Sequence, residues 1–247
     1  MSNGWQLTID KKPRRHPELD SGSSIDSRFR GNDSKEGMTK ATVFLDVDNT
    51  IFDREALRKI EEKLVDAYFG KGAGRRFKQI IEEVRKDVGW GDIKETSKRF
   101  IKERDSSDSS SPLAVFLELP FEKYWLPYAR ELIEYLASNF NLVIFSDGDD
   151  MFQKRKIEKL GLYKIAREVI LSRSKIDLIA DLSKKYQGKL IFIDDRPKII
   201  GEAKKIPRAI TIWVKHGRHA GEYRSVSADL ETDDLREVIL YLKSQPF

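Results

Sequence analysis

The sequence predicts an α/β fold: a parallel, Rossmann-like sheet covered by helices, with a small helical cap inserted after the first strand. Three observations predict it. Short apolar runs recur along the chain, helical patterns separate most of them, and the long stretch 53–120 contains helical patterns but no strand. Strands that alternate with helices favour a parallel sheet with helices on both faces.

The predicted strands are continuous apolar runs rather than alternating ones. Runs of this kind are typical of parallel strands that are buried on both faces. They are ATVFLDV (41–47), NLVIFSD (141–147), EVILS (168–172), KLIFID (189–194) and AITIWV (209–214).

Apolar spacing and end signals predict the helices between these strands. One helix has its apolar residues within 129–136, and Pro127 suits its first turn. Another begins at Asp150, which can cap it, and ends before Gly161. A last amphipathic helix covers 235–242.

The stretch between the first and second strands is predicted to be the helical cap. Helices are expected over 57–68, 75–88 and 92–104, followed by a polar loop at 105–112. The predicted organisation is therefore a cap at 53–120 and a core formed by 38–52 and 121–247.

The first 37 residues differ from the rest of the chain. Residues 1–37 are rich in Ser, Asp, Arg, Gly and Pro and lack a sustained period, so we predict a disordered or non-native arm. The stretch HPELDSGSSIDSRFRGND resembles read-through peptides of bacterial intergenic repeats, in which case Met38 would be the native start. An ordinary flexible arm is the alternative.

Composition excludes several classes of protein. No apolar run approaches the roughly 20 residues of a membrane helix, and no secretory apolar segment begins the chain. The absence of cysteine excludes disulfides, thiolate zinc sites and cysteine nucleophiles. We therefore expect a cytoplasmic protein without a membrane partner, and the oligomeric state stays open.

The net charge of +5 suits an anionic partner. Such a charge can indicate nucleic acid, a small anionic substrate or no particular partner. Lys and Arg are spread along the chain and mixed with Glu, so the charge is only weak evidence for nucleic acid.

Polar residues crowd the ends of the predicted strands. DVDNT (46–50), SDGD (146–149) and IDDRP (193–197) follow three strands, and Lys175 follows another. Ligands of open parallel sheets bind beyond the carboxyl ends of the strands. A divalent cation with oxygen ligands would neutralise such a group of carboxylates.

In order and spacing, these residues resemble the four motifs of the haloacid dehalogenase superfamily over roughly 40–215. DVDNT resembles the DxDxT signature, Ser146 the second motif, Lys175 the third, and Asp194 with Asp195 the acidic fourth. The resemblance implies a Mg²⁺-dependent phosphatase that acts on a small phosphorylated metabolite.

The resemblance also implies roles. Asp46 would be the nucleophile and Asp48 the general acid/base, and Lys175 would pair with Asp46 and the phosphate. Mg²⁺ would be held by the carboxylates of Asp46 and Asp194, the backbone carbonyl of Asp48 and waters, with Asp195 nearby. The implied phosphate-binding residues are Thr50, Ser146, Asp147 and Lys175.

Several alternatives remain. Dehalogenases lack the acid at position 48, so Asp48 favours phosphate esters over carbon–halogen bonds. A nucleic-acid or nucleotide phosphatase and a non-catalytic phosphate- or partner-binding protein are the other interpretations. Lys175 could be a solvated lysine, with Lys154 and Lys156 close in sequence. The basic loop GKGAGRR (70–76) could contact a substrate anion or be a turn between helices.

Overall fold

The computed structural model describes residues 40–104, 111–221 and 227–247. The predictions for residues 1–37 and for 105–110 of the polar loop lie outside these ranges. The described residues form a parallel sheet flanked by helices, with a helical segment after the first strand, so the predicted fold class is confirmed. Within these ranges, no helix is both long and apolar enough to cross a membrane.

The sheet has six parallel strands in the order β3-β2-β1-β4-β5-β6. The sixth strand was not predicted, because its three residues, LET, are too few to show a pattern. The strands are β1 (Thr42–Leu45), β2 (Asn141–Asp147), β3 (Glu168–Ser172), β4 (Leu190–Asp194), β5 (Ala209–Val214) and β6 (Leu230–Thr232).

Helices follow most of the strands and also form the segment after β1. In chain order, the α-helices of the described residues are α1 (Arg54–Phe69), α2 (Ala73–Val88), α3 (Ile93–Arg104), α4 (Pro112–Leu117), α5 (Ala129–Asn139), α6 (Asp150–Lys159), α7 (Lys175–Lys185), α8 (Pro197–Ala203) and α9 (Leu235–Ser244). We call 54–117 the helical insert, and β1–β6, α5–α9 and their loops the core.

The core has an apolar layer on each face of the sheet. Alternate residues of β1 point to opposite faces, as the geometry of a strand requires. Val43 and Leu45 belong to the apolar cluster that includes α5 and α9. Phe44 belongs to the second cluster, with α7 and α8. This burial on both faces explains why the strands are apolar throughout.

Two predicted helix ends differ from the structure. Pro127 lies in the turn before α5 rather than in its first turn, because Tyr128 adopts a left-handed conformation (φ 62°) before Ala129 begins the helix. Helix α6 is capped by Asp149, not Asp150: the Asp149 carboxylate accepts from the Phe152 amide at 2.8 Å.

The helical insert packs against the core through aromatic side chains. Phe116 of α4 stacks on Phe77 of α2, with ring centroids 4.9 Å apart, and reaches Phe152 of α6 at 6.4 Å. The buried residues of the insert and of one sheet face form a single apolar cluster. The insert is therefore fixed above one part of the core, next to the carboxyl ends of the strands.

The GKGAGRR segment is the turn between α1 and α2 and the beginning of α2. A Cβ at Gly74 would lie 2.2 Å from the Glu62 carbonyl oxygen, so glycine allows the two helices to pack closely. Arg76 pairs with Glu83 and Glu103 on the exposed side of the insert.

Candidate active site

The register of the sheet brings the predicted site residues to one edge. Leu45, the last residue of β1, pairs with Ile144 of β2 and Ile193 of β4. The next residue, Asp46, donates its amide to the Ile193 carbonyl at 3.0 Å. Asp46 therefore leaves the sheet between β2, which carries Ser146, and β4, which ends at Asp194.

Three buried carboxylates form a cluster at this edge. Asp46, Asp194 and Asp195 each place one carboxylate oxygen within 4.8 Å of the others. The Lys175 ammonium donates to Asp46 Oδ1 and, at 2.7 Å, to Asp194 Oδ2. Burial by itself would lower the pKa of Lys175, but the charges of Asp194 and Asp46 raise it above its ordinary value. Lys175 is therefore a buried cation between two carboxylates.

With all three carboxyl groups ionised, the cluster has more negative than positive charge. Apart from Lys175, its nearby cation is Arg196, which also pairs with Asp147 at 2.8 Å. Burial raises the pKa of Asp46 to about 7, although Lys175 opposes the shift. Burial and the neighbouring Asp194 and Asp46 charges also raise the pKa of Asp195. A buried set of oxygen donors with excess negative charge suits a hard divalent cation.

Two hydroxyl groups lie beside Asp46. Thr50 is buried, and its Oγ1 donates to Asp46 Oδ2 at 3.0 Å, so Thr50 orients this carboxylate. The Ser146 Oγ is buried and has no hydrogen-bond partner among the described residues. An unpaired buried hydroxyl is costly, and a phosphoryl oxygen would satisfy it.

The side chain of Asp48 lies outside the three-carboxylate cluster. Its Oδ1 accepts from Lys156 at 2.5 Å and its Oδ2 from Gln153 at 2.8 Å. Burial would raise the pKa of Asp48, but the charges of Lys156 and Arg54 and the two hydrogen bonds lower it to about 2. Asp48 is therefore held as a carboxylate.

The backbone of DVDNT turns sharply after Asp46. The amides of Thr50, Ile51 and Phe52 all donate to the Val47 carbonyl, at 3.0–3.3 Å. Asn49 makes this turn in the left-handed region (φ 59°), which asparagine tolerates better than most residues. The turn directs Asp46 and Asp48 toward the same pocket, although their carboxylates have different partners.

The pocket, of about 280 Å³, lies between the strand ends and the helical insert. Residues 70–76 do not line this pocket, and the GKGAGRR segment forms the turn between α1 and α2 and the beginning of α2. The carboxylates that line the pocket are Asp46, Asp48, Asp147, Asp149 and Asp195, and the guanidinium groups are Arg54, Arg58, Arg85, Arg173, Arg196 and Arg218.

Sequence reasoning missed the partners of Asp48 and the arginines of the pocket. Lys156 gave one signal: it shares the apolar face of α6 with Phe152 and Leu160, at four-residue spacing. The arginines gave none, because packing collects them from separate helices and loops. Histidine often binds metals, but His216 is not part of a cluster of metal ligands among the described residues. Its Nε2 lies 3.7 Å from Asp53 Oδ1.

Comparisons with known proteins identify the fold. A haloacid dehalogenase-like hydrolase from Burkholderia xenovorans superposes with a TM-score of 0.70 at 23% identity, over 82% of this chain and 96% of that one. A HAD-hydrolase from Bacillus subtilis, bound to magnesium, gives 0.55 at 16% identity, over 83% and 100% of the chains. L-2-haloacid dehalogenase from Xanthobacter autotrophicus gives 0.55 at 17% identity, over 85% and 100%.

No protein-family model matches the sequence, and no curated protein matches it either. The evidence for similarity is thus structural. The chain has the fold of the haloacid dehalogenase-like hydrolases, as the four motifs predicted.

Proposed function

On this fold, we propose that the chain is a Mg²⁺-dependent phosphatase that hydrolyses a small phosphomonoester through a phospho-aspartate on Asp46. One observation carries the proposal. The Asp46 carboxylate is held from one side by Thr50 and from the other by Lys175, on the floor of a pocket and beside two more buried carboxylates. This arrangement suits a fixed, charged nucleophile.

In the first step, a carboxylate oxygen of Asp46 attacks phosphorus. A bond forms between this oxygen and phosphorus, the ester bond breaks, and the leaving alcohol oxygen takes a proton. In the second step, water attacks the phospho-aspartate, which releases phosphate and restores Asp46. Lys175 opposes the effect of burial on the Asp46 pKa and orients its carboxylate in the first step, and Thr50 fixes the second oxygen.

Asp48 is the proposed proton-transfer group. As a carboxylate in the ligand-free protein, it is ready to take a proton from the attacking water. The preceding protonation of the leaving oxygen needs the acid form. An anionic phosphate beside Asp48 would raise the pKa of this carboxyl by repulsion, which favours that form once substrate is bound.

The carboxylates of Asp46, Asp194 and Asp195 are the residues that would hold Mg²⁺, with the Asp48 carbonyl as a further oxygen donor. When bound, the ion would offset the repulsion between a carboxylate nucleophile and an anionic phosphate. The magnesium bound to the similar Bacillus subtilis hydrolase supports this choice of ion.

The phosphoryl group would be held by residues at the ends of β2 and β3. The unpaired hydroxyl of Ser146 and the ammonium of Lys175 are suitable donors. The carboxylate of Asp147 pairs with Arg196, so the Asp147 backbone amide would be its donor to phosphate.

The similarity to the L-2-haloacid dehalogenase of Xanthobacter autotrophicus favours a second candidate, hydrolysis of a carbon–halogen bond in a haloacid. A halide leaves as an anion without needing a proton donor, so Asp48 would have no proton to transfer to the leaving group in this reaction. The acid at position 48 therefore makes the phosphatase the first candidate. Release of chloride from 2-chloropropionate would identify the second reaction.

The test is release of p-nitrophenol from p-nitrophenyl phosphate, with Mg²⁺ and with EDTA. We expect turnover that requires Mg²⁺ and is lost in Asp46→Asn. Asp181→Asn is the matched control, because Asp181 is exposed on α7 and, among the described residues, pairs with Lys184 of the same helix. If a panel of small phosphate esters is not hydrolysed, the phosphatase proposal is wrong.

A further inference from the structure

We propose that the substrate carries a second anionic group, a carboxylate or a second phosphate, bound by Arg58, Arg85 and Arg173. This inference rests on the proposed phosphatase function and specifies its substrate class. The second anion would lie at the end of the pocket formed by the helical insert, away from the carboxylate cluster.

The charges that line the pocket are distributed unequally. All five lining carboxylates come from the core. The helical insert contributes Arg54, Arg58 and Arg85 and, among its described residues, no lining carboxylate. In the proposed reaction, residues of the core bind the ester phosphate. The side of the pocket that the arginines of the insert line is therefore available for a different anion.

The arginines of the insert differ in how firmly they are engaged. Arg54 is held by Glu61 through two contacts of 2.8 and 3.1 Å, and it also lies near Asp48, so it belongs to the buried network. Arg58 and Arg85 each pair with a glutamate three residues earlier on their own helix. The first pair is partly exposed and the second is exposed. Solvent-accessible pairs of this kind are weak, and a guanidinium has five N–H groups, so both arginines can bind an incoming anion.

Arg173, the third arginine of the proposed site, belongs to the core. It follows β3, and its guanidinium lies 3.9 Å from the centre of the Trp90 ring. Among the described residues it has no carboxylate partner. Stacking on Trp90 fixes the plane of the guanidinium while its N–H groups stay available at the pocket.

Trp90 and Gly91 bring Arg85 and Arg173 together. A Cβ at Gly91 would lie 3.5 Å from Arg85 Nη2, and Arg173 stacks on the preceding Trp90. The two guanidinium groups thus contact neighbouring residues of the short turn between α2 and α3. Planar, forked donors of this kind suit a carboxylate or a phosphate.

Apart from its arginines and Thr96, the wall of the pocket on the side of the insert is apolar. Ile81, Ile93 and Phe116 line it, together with Trp90. Apolar walls lower the local dielectric constant and strengthen charge pairing. The pocket therefore fits a compact ester with a short apolar linker between two anionic ends.

The test uses three phosphate esters of equal chain length: propyl phosphate, 3-phosphooxypropanoate and propane-1,3-diol bisphosphate. They share a chain of three carbons and differ at its far end, which is a methyl group, a carboxylate or a CH2 group that carries a second phosphate. We expect kcat/KM for at least one of the two doubly anionic esters to exceed that for propyl phosphate by about tenfold or more, as charge-assisted hydrogen bonds imply. The better of the two identifies the second anion.

Variants assign the effect to the arginines. Arg85→Gln and Arg173→Gln should each reduce the ratio of kcat/KM between the doubly anionic ester and propyl phosphate by about fivefold. Arg76→Gln is the matched control: it removes the same charge from the insert outside the pocket, and the ratio should not change.

The outcomes separate this inference from the phosphatase proposal. Equal turnover of all three esters would overturn the second-anion site and leave the phosphatase intact. No turnover of any ester would overturn the phosphatase proposal. Calorimetric binding of the three esters to Asp46→Asn with Mg²⁺ would then test the second-anion site by itself. Preferential binding of a doubly anionic ester, reduced by Arg85→Gln, supports the site, and equal or absent binding overturns it.

Discussion

The ammonium of Lys156 lies 2.5 Å from Asp48 Oδ1, and this ion pair joins helix α6 to the DVDNT turn. Lys156 is completely buried, with its ammonium 5.3 and 5.5 Å from the ring centres of Phe52 and Phe152. Gln153, on the same helix, holds the other oxygen of Asp48. The orientation of the proposed proton-transfer group and the packing of α6 therefore depend on the same contacts.

Replacing this lysine should destabilise the fold. Lys156→Met keeps the length of the side chain but removes the cation closest to a mostly buried carboxylate. We expect the free energy of unfolding to fall by about 2–4 kcal/mol, since loss of one partner leaves the other charge buried without compensation. Urea unfolding at pH 7 measures the change.

The controls come from the same ion pair and the same helix. Lys156→Met combined with Asp48→Asn should cost less than the sum of the single changes, because the second change removes the uncompensated charge. Lys159→Met should change stability by less than ~0.5 kcal/mol, because Lys159 is exposed and its ion pair among the described residues is a surface contact with Glu118. Equal effects at 156 and 159 would contradict the assigned ion pair.

Local sequence patterns were sufficient to predict most strands and the motif residues at their ends. Strands such as NLVIFSD and the motif residues at their ends are short segments whose side chains carry their own signal. Helix α4 was missed because its six residues follow a polar stretch. The partner of Asp48 is 108 residues away, and only packing of α6 against the turn brings it there.

Without metal, stability should fall as the pH rises. Burial raises the pKa of Asp46 from 3.8 to about 7, and that of Asp195 is raised too. A carboxyl whose pKa is higher in the folded state stabilises the fold below the unfolded pKa, and this contribution is lost as the pH rises through the folded value. The shift of Asp48 has the opposite sign but acts below about pH 4.

We therefore expect the Tm in EDTA to fall between about pH 5 and pH 8. Asp46→Asn should reduce this fall, since one of the shifted groups is removed. Differential scanning calorimetry of both proteins across this range is the measurement. A Tm that rises with pH in EDTA would contradict the assigned charge balance of the cluster.

Magnesium should stabilise the protein through the same carboxylates. Asp194→Asn is expected to weaken Mg²⁺ binding by about tenfold or more, which would show as a smaller rise of Tm with Mg²⁺ concentration. Asp181→Asn removes an exposed carboxylate of α7 and should leave the Mg²⁺-dependent rise unchanged. The same Mg²⁺ response in both variants would mean that the ion does not bind at the cluster.

The hydroxyl of Thr50 should contribute to turnover by holding Asp46. Thr50→Val has nearly the same shape and fits the buried position, but it removes the 3.0 Å hydrogen bond to Asp46 Oδ2. We expect kcat/KM for p-nitrophenyl phosphate to fall by about tenfold, as the loss of a hydrogen bond to a charged group implies. Thr50→Ser keeps the hydroxyl and should retain most of the activity; a similar loss in both variants would point to packing instead.

Close packing of α1 against α2 depends on Gly74. The Cβ of Gly74→Ala would come 2.2 Å from the Glu62 carbonyl oxygen, which belongs to helix backbone and cannot move aside on its own. We expect a loss of about 1–3 kcal/mol in the free energy of unfolding, in the range of other overpacking substitutions.

Gly201→Ala is the matched control for Gly74→Ala. Gly201 also lies within a helix, but a Cβ there would meet nothing within 4 Å. Because alanine has the higher helix propensity, this variant should be stabilised by up to about 1 kcal/mol. Urea unfolding of the two variants measures both changes. Stabilisation by alanine at both positions would show that α1 and α2 are not packed as closely as described. Destabilisation at 74 together with stabilisation at 201 would show that packing requires glycine at 74, independently of any contact with substrate.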